Sequence, residues 1–324
     1  MKNVLVTGGA GYIGSHIVEL LVKKKYKVFI IDNLSFGYRR LINKEAKFYK
    51  SDIKKIKKVR QIINNNKIDS IIHLAAYLSV GEGEKKPKKY YFNNVTGTLN
   101  LLKACVDTKV KNFLFSSTCA VYNDGIFKVN ENTKLLPKSV YGKTKLAGER
   151  IIKSHSKKYS INYGILRFFN VAGASSSGKI GQIKSGAQLF KNLSITVTKK
   201  NPKVNIYGNN YNTRDGTCVR DYIHVSDIAD LHLRVLSKID KVKKSVILNC
   251  GYGFGISVLQ VVNAFQKETK EKIRIIIKKK RKGDMEKIIS INTKLKKFIN
   301  WKPKYNNLSL IIKSCLDWEK KLKS

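Results

Sequence analysis

With 324 residues, 42% of them hydrophobic, the chain can bury a large core and divide into two domains. Its five cysteines show neither C-x-x-C nor zinc-ligand spacing, and no apolar run could span a bilayer, which argues against disulfides, a structural metal and a membrane anchor. The formal charge of +43 comes mostly from lysines spread along the chain beside abundant Asn and Ile, so AT-rich codon usage explains it without a nucleic-acid partner.

The amino terminus has the pattern of a dinucleotide site. An apolar strand is predicted over Asn3 to Thr7, with no signal peptide before it, which favours a cytoplasmic protein. A glycine-rich turn follows, and then an amphipathic helix from Ser15 to Lys24. In such a turn Gly8 permits the chain reversal, Gly11 lets the backbone approach a pyrophosphate, and Gly14 lets the helix pack close to the strand.

A second strand, predicted over Lys27 to Ile31, ends at Asp32, about twenty residues after the glycine turn. A carboxylate at this point accepts hydrogen bonds from the adenosine ribose hydroxyls and repels a 2′-phosphate. NAD is therefore the expected cofactor, although Arg39 and Arg40 in the following loop leave NADP open as a minor alternative.

Alternating strand and helix patterns continue into the middle of the chain. Strands are predicted over Ile68 to Leu74 and from Lys111 to Phe115 into Ser116-Ser117-Thr118, with a helix around Tyr90 to Val106 between them. This order is typical of a doubly wound parallel sheet, in which ligands bind beyond the carboxyl ends of the strands. Thr118 is expected at such an end, where its hydroxyl could bond a sugar hydroxyl.

Tyr141 and Lys145 are spaced by four residues, which places them one turn apart on one face of a helix. A tyrosine with a pKa of about 10 can act as a base near neutral pH only when a neighbouring cation favours the phenolate. We expect Lys145 to be that cation. The pair then forms a proton-transfer device beside Thr118.

These motifs together resemble the UDP-glucose 4-epimerase family of the extended short-chain dehydrogenase/reductases, over nearly the full length of the chain. The matching segments are Gly8 to His16, Asp32-Asn33-Leu34, Asp52-Ile53, Asn93-Asn94-Val95, Ser116-Ser117-Thr118 with Tyr141 and Lys145, Arg167 to Asn170, Gly216 to Val225, Arg281 to Asp284 and Asn300 to Pro303.

The resemblance implies specific roles for residues at the matching positions, and it implies no metal site. The implied catalytic residues are Tyr141, Lys145 and Thr118. The implied NAD contacts are Gly8, Gly11, Tyr12, Ile13, Gly14, Asp32, Asn33, Asp52, Ile53, Leu74, Ala75, Asn93, Ser116, Tyr141, Lys145 and Phe169. The implied substrate contacts are Thr118, Asn170, Gln188, Leu189, Tyr207, Arg220, Arg281, Asp284 and Ile288.

The family fold is α/β, with a Rossmann-like doubly wound parallel sheet and a smaller C-terminal α/β domain for the substrate. The resemblance implies an NAD-binding domain over residues 1–171 with a returning segment near 217–240, and a UDP-sugar-binding domain over 172–324. It also implies a homodimer packed through the helices around Tyr90 to Val106 and Tyr141 to Lys153.

The implied activity interconverts UDP-glucose and UDP-galactose by transient hydride transfer from carbon 4 to tightly bound NAD, through a 4-keto intermediate. Another UDP-sugar, such as UDP-N-acetylglucosamine or a UDP-pentose, remains an alternative because Ile288 is intermediate in size at a position that influences acceptance of an N-acetyl group. A dehydratase is less favoured, since Cys119 and Ala120 stand where dehydratases carry an Asp-Glu pair after the catalytic threonine. An RNA-binding relative is disfavoured by the scattered lysines.

Overall fold

The structure is a computed structural model that describes residues 2–186, 188–281 and 284–323. Lys282 and Gly283, two residues of the segment Arg281 to Asp284, lie outside the described residues. The strands, in chain order, are β1 Asn3–Thr7, β2 Lys27–Asp32, β3 Lys47–Lys50, β4 Ser70–His73, β5 Asn112–Thr118, β6 Lys128–Val129, β7 Asn162–Phe168, β8 Asn170–Ala172, β9 Lys203–Tyr207, β10 Val219–Arg220, β11 Tyr222–His224, β12 Val246–Cys250, β13 Ile256–Ser257, β14 Arg274–Lys278 and β15 Lys287–Ser290.

The helices connect these strands in the alternation that the sequence predicts. They are α1 Tyr12–Lys23, α2 Ile56–Asn65, α3 Val80–Lys85, α4 Pro87–Tyr91, α5 Gly97–Asp107, α6 Val140–Tyr159, α7 Leu189–Thr196, α8 Val225–Val242, α9 Val258–Thr269, α10 Thr293–Ile299 and α11 Leu308–Lys323. A π-helical turn, Phe92–Thr96, joins α4 to α5, and short 3₁₀ turns occur at Arg39–Leu41 and Cys119–Val121.

A seven-stranded parallel sheet confirms the predicted fold class. Its strand order is β12-β7-β5-β4-β1-β2-β3, so the order reverses direction between β1 and β4, as in a doubly wound sheet. Strands β1, β4 and β5 read as nearly continuous buried runs, because helices cover both faces of such a sheet. The core between this sheet and helices α2 and α5 contains Leu5, Ile71 and Phe113, each fully buried.

The chain divides into two compact units. Unit 1 consists of residues 1–121, 135–168 and 229–248, and unit 2 consists of residues 122–134, 169–228 and 249–324. Unit 1 contains the large sheet up to the first residues of β12. Unit 2 contains three smaller sheets, ordered β13-β10-β15-β6, β11-β8 and β14-β9.

Within unit 2, the carboxyl-terminal helix α11 packs against α7 and α9. A buried ion pair links two of these helices, because Lys191 Nζ of α7 lies 2.5 Å from Glu319 Oε2 of α11. Trp318 Nε1 donates to the Gln182 carbonyl oxygen at 2.8 Å and anchors α11 to the loop before α7. These contacts fix helix α7, which begins directly after Gln188.

Residues 2–186, 188–281 and 284–323 contain neither a membrane-spanning helix nor a cluster of metal-ligating side chains. No helix there is long and apolar enough to cross a membrane. The same residues contain no group of three or more His, Cys, Asp or Glu side chains placed to hold a metal ion.

We expect the substitution Lys191→Met to lower the free energy of unfolding by about 3–5 kcal/mol, because it leaves the Glu319 carboxylate buried without a counter-ion. The double variant Lys191→Met/Glu319→Leu should recover most of this loss, since an apolar pair of similar volume removes the uncompensated charge. Urea denaturation measures both effects. Arg234→Gln, which breaks the exposed pair with Asp230, is the control and should cost less than about 1 kcal/mol. Equal instability of the single and double variants would contradict the prediction.

Candidate active site

The glycine-rich turn between β1 and α1 forms a cradle that only glycine permits. Gly8 has φ +75°, and a β-carbon on it would lie 2.8 Å from the Ala75 backbone nitrogen. A β-carbon on Gly14 would collide with the Gly8 carbonyl oxygen. Helix α1 therefore starts close to the end of β1, three residues earlier than the sequence pattern predicts.

The amino terminus of α1 keeps its donors available. Gly11 occupies the N-cap position and provides no side-chain cap. The first turn of α1 lies within the described residues and carries no acidic side chain. The backbone N–H groups after Gly11, among them those of Tyr12 and Ile13, are the orphan donors that a helix offers to a phosphate. A diphosphate fits this cradle by charge and by the space that a β-carbon would fill.

Asp32 lies at the end of β2, directly beside this turn. Its carboxylate accepts hydrogen bonds from Ala10 N at 3.1 Å and Leu34 N at 2.8 Å. Burial raises the pKa of Asp32, and these two hydrogen bonds lower it. The backbone thus orients the carboxylate while leaving further lone pairs for a pair of ribose hydroxyls.

Three of the expected NAD contacts, Asn33, Asp52 and Ile53, form a second group after the ends of β2 and β3. We call these three residues the adenine group. Asn33 Nδ2 donates to Asp52 Oδ2 at 3.0 Å, and Asp52 Oδ1 accepts from Lys54 N at 2.9 Å. Ile53 is buried and packs against Gly97, where a β-carbon would come within 2.7 Å of its side chain. The amide and carboxylate therefore hold each other in place beside an apolar surface.

The segment after β4 lies against the glycine turn. Leu74 N donates to the Thr7 carbonyl oxygen at 3.0 Å, which places Leu74 and Ala75 beside Gly8. In the π-helical turn, Asn93 Nδ2 donates to Asn94 Oδ1 at 3.0 Å, and Asn94 in turn binds both backbone groups of Tyr77. Asn94 therefore holds this loop through its side chain, and Asn93 beside it is one of the expected NAD contacts.

Tyr141, in the first turn of α6, lies beside Thr118 at the end of β5. The helix can come this near because a β-carbon on Gly142 would collide with the Ala120 carbonyl oxygen. Burial raises the pKa of Tyr141, whereas the nearby Thr118 hydroxyl lowers it. The two hydroxyls that the sequence predicts to work together do lie together.

Lys145 is 3% exposed, one turn below Tyr141. Its Nζ donates to the Ser116 carbonyl oxygen at 2.7 Å and lies 4.6 Å above the centre of the Phe115 ring. Burial lowers the pKa of Lys145 to about 7, and the negative charge of Glu149 partly opposes this shift. The ammonium is held by a carbonyl dipole and an aromatic face within a nearly dry site.

These pKa shifts differ from the expectation that Lys145 lowers the pKa of Tyr141. Burial acts on both groups and favours the neutral phenol and the neutral amine. The side chains of this site alone therefore do not produce a phenolate near neutral pH.

In unit 2, a cavity of about 670 Å³ collects most of the residues expected to contact the substrate. Those that line it are Asn170, Gln188, Leu189, Tyr207, Arg220, Arg281 and Asp284. The Arg281 guanidinium carbon lies 3.6 Å from the centre of the Tyr207 ring, and Arg220 Nη1 donates to the carbonyl oxygens of Val219 at 3.0 Å and Glu286 at 3.3 Å. Two arginines with fixed orientations and several amide groups suit a phosphate-bearing ligand.

Two of the expected substrate contacts, Thr118 and Ile288, are not among the residues lining this cavity, and the expected NAD contact Phe169 does not line it either. Ile288 pairs with Arg220 in the sheet, but it is 1% exposed, so its side chain packs inside unit 2. Phe169 is also buried in unit 2, where its backbone nitrogen donates to the Cys250 carbonyl oxygen at 3.3 Å.

The cavity also contains residues that the sequence analysis missed. Lys191 of α7, and Cys315 and Trp318 of α11, contribute to its lining. The amphipathic pattern of α11 could have predicted a helix, but nothing in one sequence indicates which groove that helix fills. In unit 1, Glu149 was also missed, although it follows Lys145 by four residues and so shares its helix face.

Comparison with known proteins places these features in context. The model of the NAD dependent epimerase/dehydratase family matches residues 4–251 of the chain. The UDP-glucose 4-epimerase of Lactobacillus helveticus is 41% identical over 321 residues, which cover 98% of this chain and 97% of that protein. The UDP-arabinose 4-epimerase 1 of Arabidopsis thaliana is 37% identical, covering 99% of this chain and 80% of that protein.

Solved structures agree with the fold. The UDP-glucose-4-epimerase of Stenotrophomonas maltophila, with bound NAD and formylated UDP-arabinopyranose, superposes with a TM-score of 0.95 at 31% identity, over 100% of this chain and 99% of that chain. The UDP-glucose 4-epimerase of Bifidobacterium longum, in complex with NAD+ and UDP, gives a TM-score of 0.92 at 34% identity, over 99% and 98% of the two chains.

We expect Lys145 to titrate near neutral pH, because its ammonium has lost most of its hydration. The ¹³Cε resonances of labelled lysines, followed by NMR from pH 5 to 11, should include one with a midpoint at about 7. That resonance should disappear in Lys145→Arg and persist in Lys143→Arg, the matched control two residues away on the exposed face of α6. The prediction is wrong if every lysine midpoint lies above about pH 9.

Proposed function

Because this chain belongs to the NAD dependent epimerase/dehydratase family, we propose that it inverts carbon 4 of UDP-sugars and interconverts UDP-glucose and UDP-galactose, with NAD as cofactor. It is an NAD-dependent isomerase in this proposal. The UDP-sugar is its substrate, as it is for the relatives named UDP-glucose 4-epimerase.

The observation that carries the proposal is the placement of Tyr141 beside Thr118, with Lys145 one turn away. Removal of hydride from a secondary alcohol requires a base for the hydroxyl proton. Tyr141 takes the proton of the sugar 4-hydroxyl, and Thr118, which lies beside Tyr141, holds the same hydroxyl in place. The proton returns from Tyr141 when the 4-keto sugar is reduced, so the chain ends each cycle in its starting state.

The glycine cradle, Asp32 and the adenine group fit NAD by the chemistry of their donors and acceptors. We assign the diphosphate to the N–H groups that follow Gly11, the adenosine ribose to Asp32 and Asn33, and the adenine to Asp52 and Ile53. When bound, NAD accepts the hydride from carbon 4 and returns it to the opposite face of the sugar. Leu74, Ala75, Asn93, Ser116 and Phe169 complete the proposed cofactor contacts.

Epimerisation requires unequal binding of the two halves of the substrate. The UDP half is held firmly, and we assign its diphosphate to Arg220, Arg281 and Asn170, with Asp284 at the ribose. Gln188, Leu189 and Tyr207 line the same cavity. The sugar must turn over between the two hydride transfers, so few fixed donors should bind it. We propose that Ile288, the neighbour of Arg220 on the adjacent strand β15, limits the size of the sugar.

A dehydratase would need an additional acid and base next to Thr118. Cys119 and Ala120 occupy those positions, and Cys119 is buried as a free thiol, so elimination of water has no catalyst there. Incubation with several UDP-sugars and identification of the products is the direct test. A 4-keto-6-deoxy product would refute the epimerase assignment, and conversion of only N-acetylated or pentose substrates would redefine the sugar.

We also propose a division of the chain into an NAD-binding domain, residues 1–171 with a returning segment near 217–240, and a UDP-sugar-binding domain, residues 172–324. The active form is proposed to be a cytoplasmic homodimer packed through the helices around Tyr90 to Val106 and Tyr141 to Lys153. Light scattering tests the oligomeric state. We do not propose a nucleic-acid partner for this chain despite its high positive charge.

Tyr141→Phe should reduce kcat for UDP-glucose at least roughly a hundredfold, because it removes the proton acceptor while keeping the ring. A coupled assay for UDP-galactose measures the change, and the NAD content of the purified variant shows whether cofactor binding survives. The control is Tyr159→Phe, an exposed tyrosine at the end of the same helix, which should keep wild-type kcat. Full activity of Tyr141→Phe would exclude the proposed proton transfer.

Arg281→Ala should raise KM for UDP-glucose about tenfold or more, with a smaller effect on kcat. A hydrogen bond to a charged group contributes about 1.5–3 kcal/mol, and 1.4 kcal/mol corresponds to a factor of ten. Arg281→Lys should restore little, because lysine lacks the planar fork that stacks on Tyr207.

Arg274→Ala, an exposed arginine at the start of β14, is the matched control and should leave KM within about twofold of wild type, as expected for an exposed charge without a ligand contact. An unchanged KM in Arg281→Ala would remove Arg281 from the diphosphate site.

A further inference from the structure

A second buried ion pair lies next to the catalytic residues in unit 1. Glu149 is fully buried, and Arg167 is 1% exposed. Glu149 Oε1 accepts from Arg167 Nε at 2.9 Å, and Oε2 accepts from Arg167 Nη2 at 2.7 Å. Ser117 Oγ donates to the same Oε1 at 2.6 Å. The carboxylate therefore receives a bidentate guanidinium and a hydroxyl.

This pair joins the catalytic helix to the two strands beneath it. Ser117 of β5 and Arg167 of β7 are direct ladder partners, so Glu149 bridges neighbouring strands from above. Gly148 allows the contact, since a β-carbon there would lie 2.9 Å from the Phe115 ring.

The three consecutive residues at the end of β5 are each tied to helix α6. Ser116 accepts through its carbonyl oxygen from Lys145, Ser117 donates to Glu149, and Thr118 lies beside Tyr141. Because the three helix residues are spaced by four, they lie on one face in successive turns. A shift of the helix along the strand would break all three contacts at once.

We propose that Glu149, oriented by Arg167 and Ser117, is a positioning residue of the reaction: it fixes α6 against β5 so that Tyr141 and Lys145 keep their reactive geometry, and it places a negative charge on the same helix face as Lys145. The inference rests on the proposed function for its kinetic consequences. Its structural content concerns this chain alone.

The energetics of buried ion pairs argue for positioning over simple stability. Two buried charges lose their hydration, and replacing such a pair by apolar side chains of similar volume is often neutral or stabilising. What an apolar pair cannot reproduce is the directional fork from Arg167 to Glu149 or the negative charge on the same helix face as Lys145.

The charged and titratable groups that face Lys145 come from each element packed around it. His73 approaches from β4, Tyr141 and Glu149 from the helix itself, and Arg167 from β7 through its bond to Glu149. Burial, and secondly the charge of Lys145, lowers the pKa of His73 to about 3, so His73 is neutral. Glu149 is thus the group that favours the ammonium form against the effect of burial.

A triple variant distinguishes a positioning role of Glu149 from a role in folding stability alone. Glu149→Leu/Arg167→Met/Ser117→Ala replaces the whole cluster with apolar groups and leaves no polar atom of the cluster unpaired. We expect it to fold and retain NAD, but to lose at least tenfold in kcat with KM for UDP-glucose within twofold. The ¹³Cε midpoint of Lys145 should fall by about one pH unit, because an opposite charge nearby has been removed.

The single variant Glu149→Gln keeps the shape of the side chain and should lower the Lys145 midpoint in the same direction, so it serves where the triple variant does not yield folded protein. Glu149→Asp, which retains the charge, should keep the wild-type midpoint while losing part of kcat. Arg150→Gln removes the adjacent exposed charge on α6 and should change neither quantity.

An unchanged kcat and Lys145 midpoint in the folded triple variant, or in Glu149→Gln, would overturn the proposal. A parallel loss of NAD and rise in KM would also overturn it, because it would indicate general loosening. The NMR midpoint requires no activity, so it distinguishes this proposal from the proposed function. Failure of the wild-type protein to convert UDP-glucose would refute the latter and leave the Lys145 shift as a test of the former.

Discussion

The close approach of helix α6 to strand β5 is the constraint on which the catalytic geometry depends. Glycines stand at both contact points, since a β-carbon at Gly148 would press on the Phe115 ring and one at Gly142 would strike Ala120. At this separation the lysine side chain reaches the Ser116 carbonyl, and the tyrosine hydroxyl reaches Thr118. Any larger side chain at either glycine would move the proton acceptor away from the end of the strand.

The same closeness excludes water and creates the electrostatic problem of the site. Burial acts against both the phenolate of Tyr141 and the ammonium of Lys145, and each pKa unit corresponds to about 1.4 kcal/mol. The protein opposes part of this cost with fixed groups: the Ser116 carbonyl dipole, the Phe115 ring and the Glu149 charge. Such groups need no reorganisation during the reaction. In the proposed function, the positive nicotinamide ring supplies a further charge that lowers the pKa of Tyr141.

The sequence predicts the parts of the site that local chemistry determines. Glycine spacing, apolar strands and the four-residue interval between Tyr141 and Lys145 all appear in the structure as predicted, because each depends on neighbours in sequence. The π-helical turn Phe92–Thr96 was not predicted, since it interrupts a regular helical pattern without any change in composition. The ion pair of Lys191 and Glu319 was equally invisible, because tertiary packing alone brings together residues so far apart in the chain.

The net charge of +43 and the arginines of the unit 2 cavity attract an anionic ligand over different distances. Exposed lysines attract any anion, and at physiological ionic strength that attraction fades beyond about 8 Å. Selection of a diphosphate requires donors whose directions are set before the ligand arrives. Stacking on Tyr207 fixes Arg281, and the carbonyl oxygens of Val219 and Glu286 fix Arg220. In the proposed function, firm binding of the diphosphate by these arginines leaves the sugar free to turn about its bond to the diphosphate as the 4-keto intermediate.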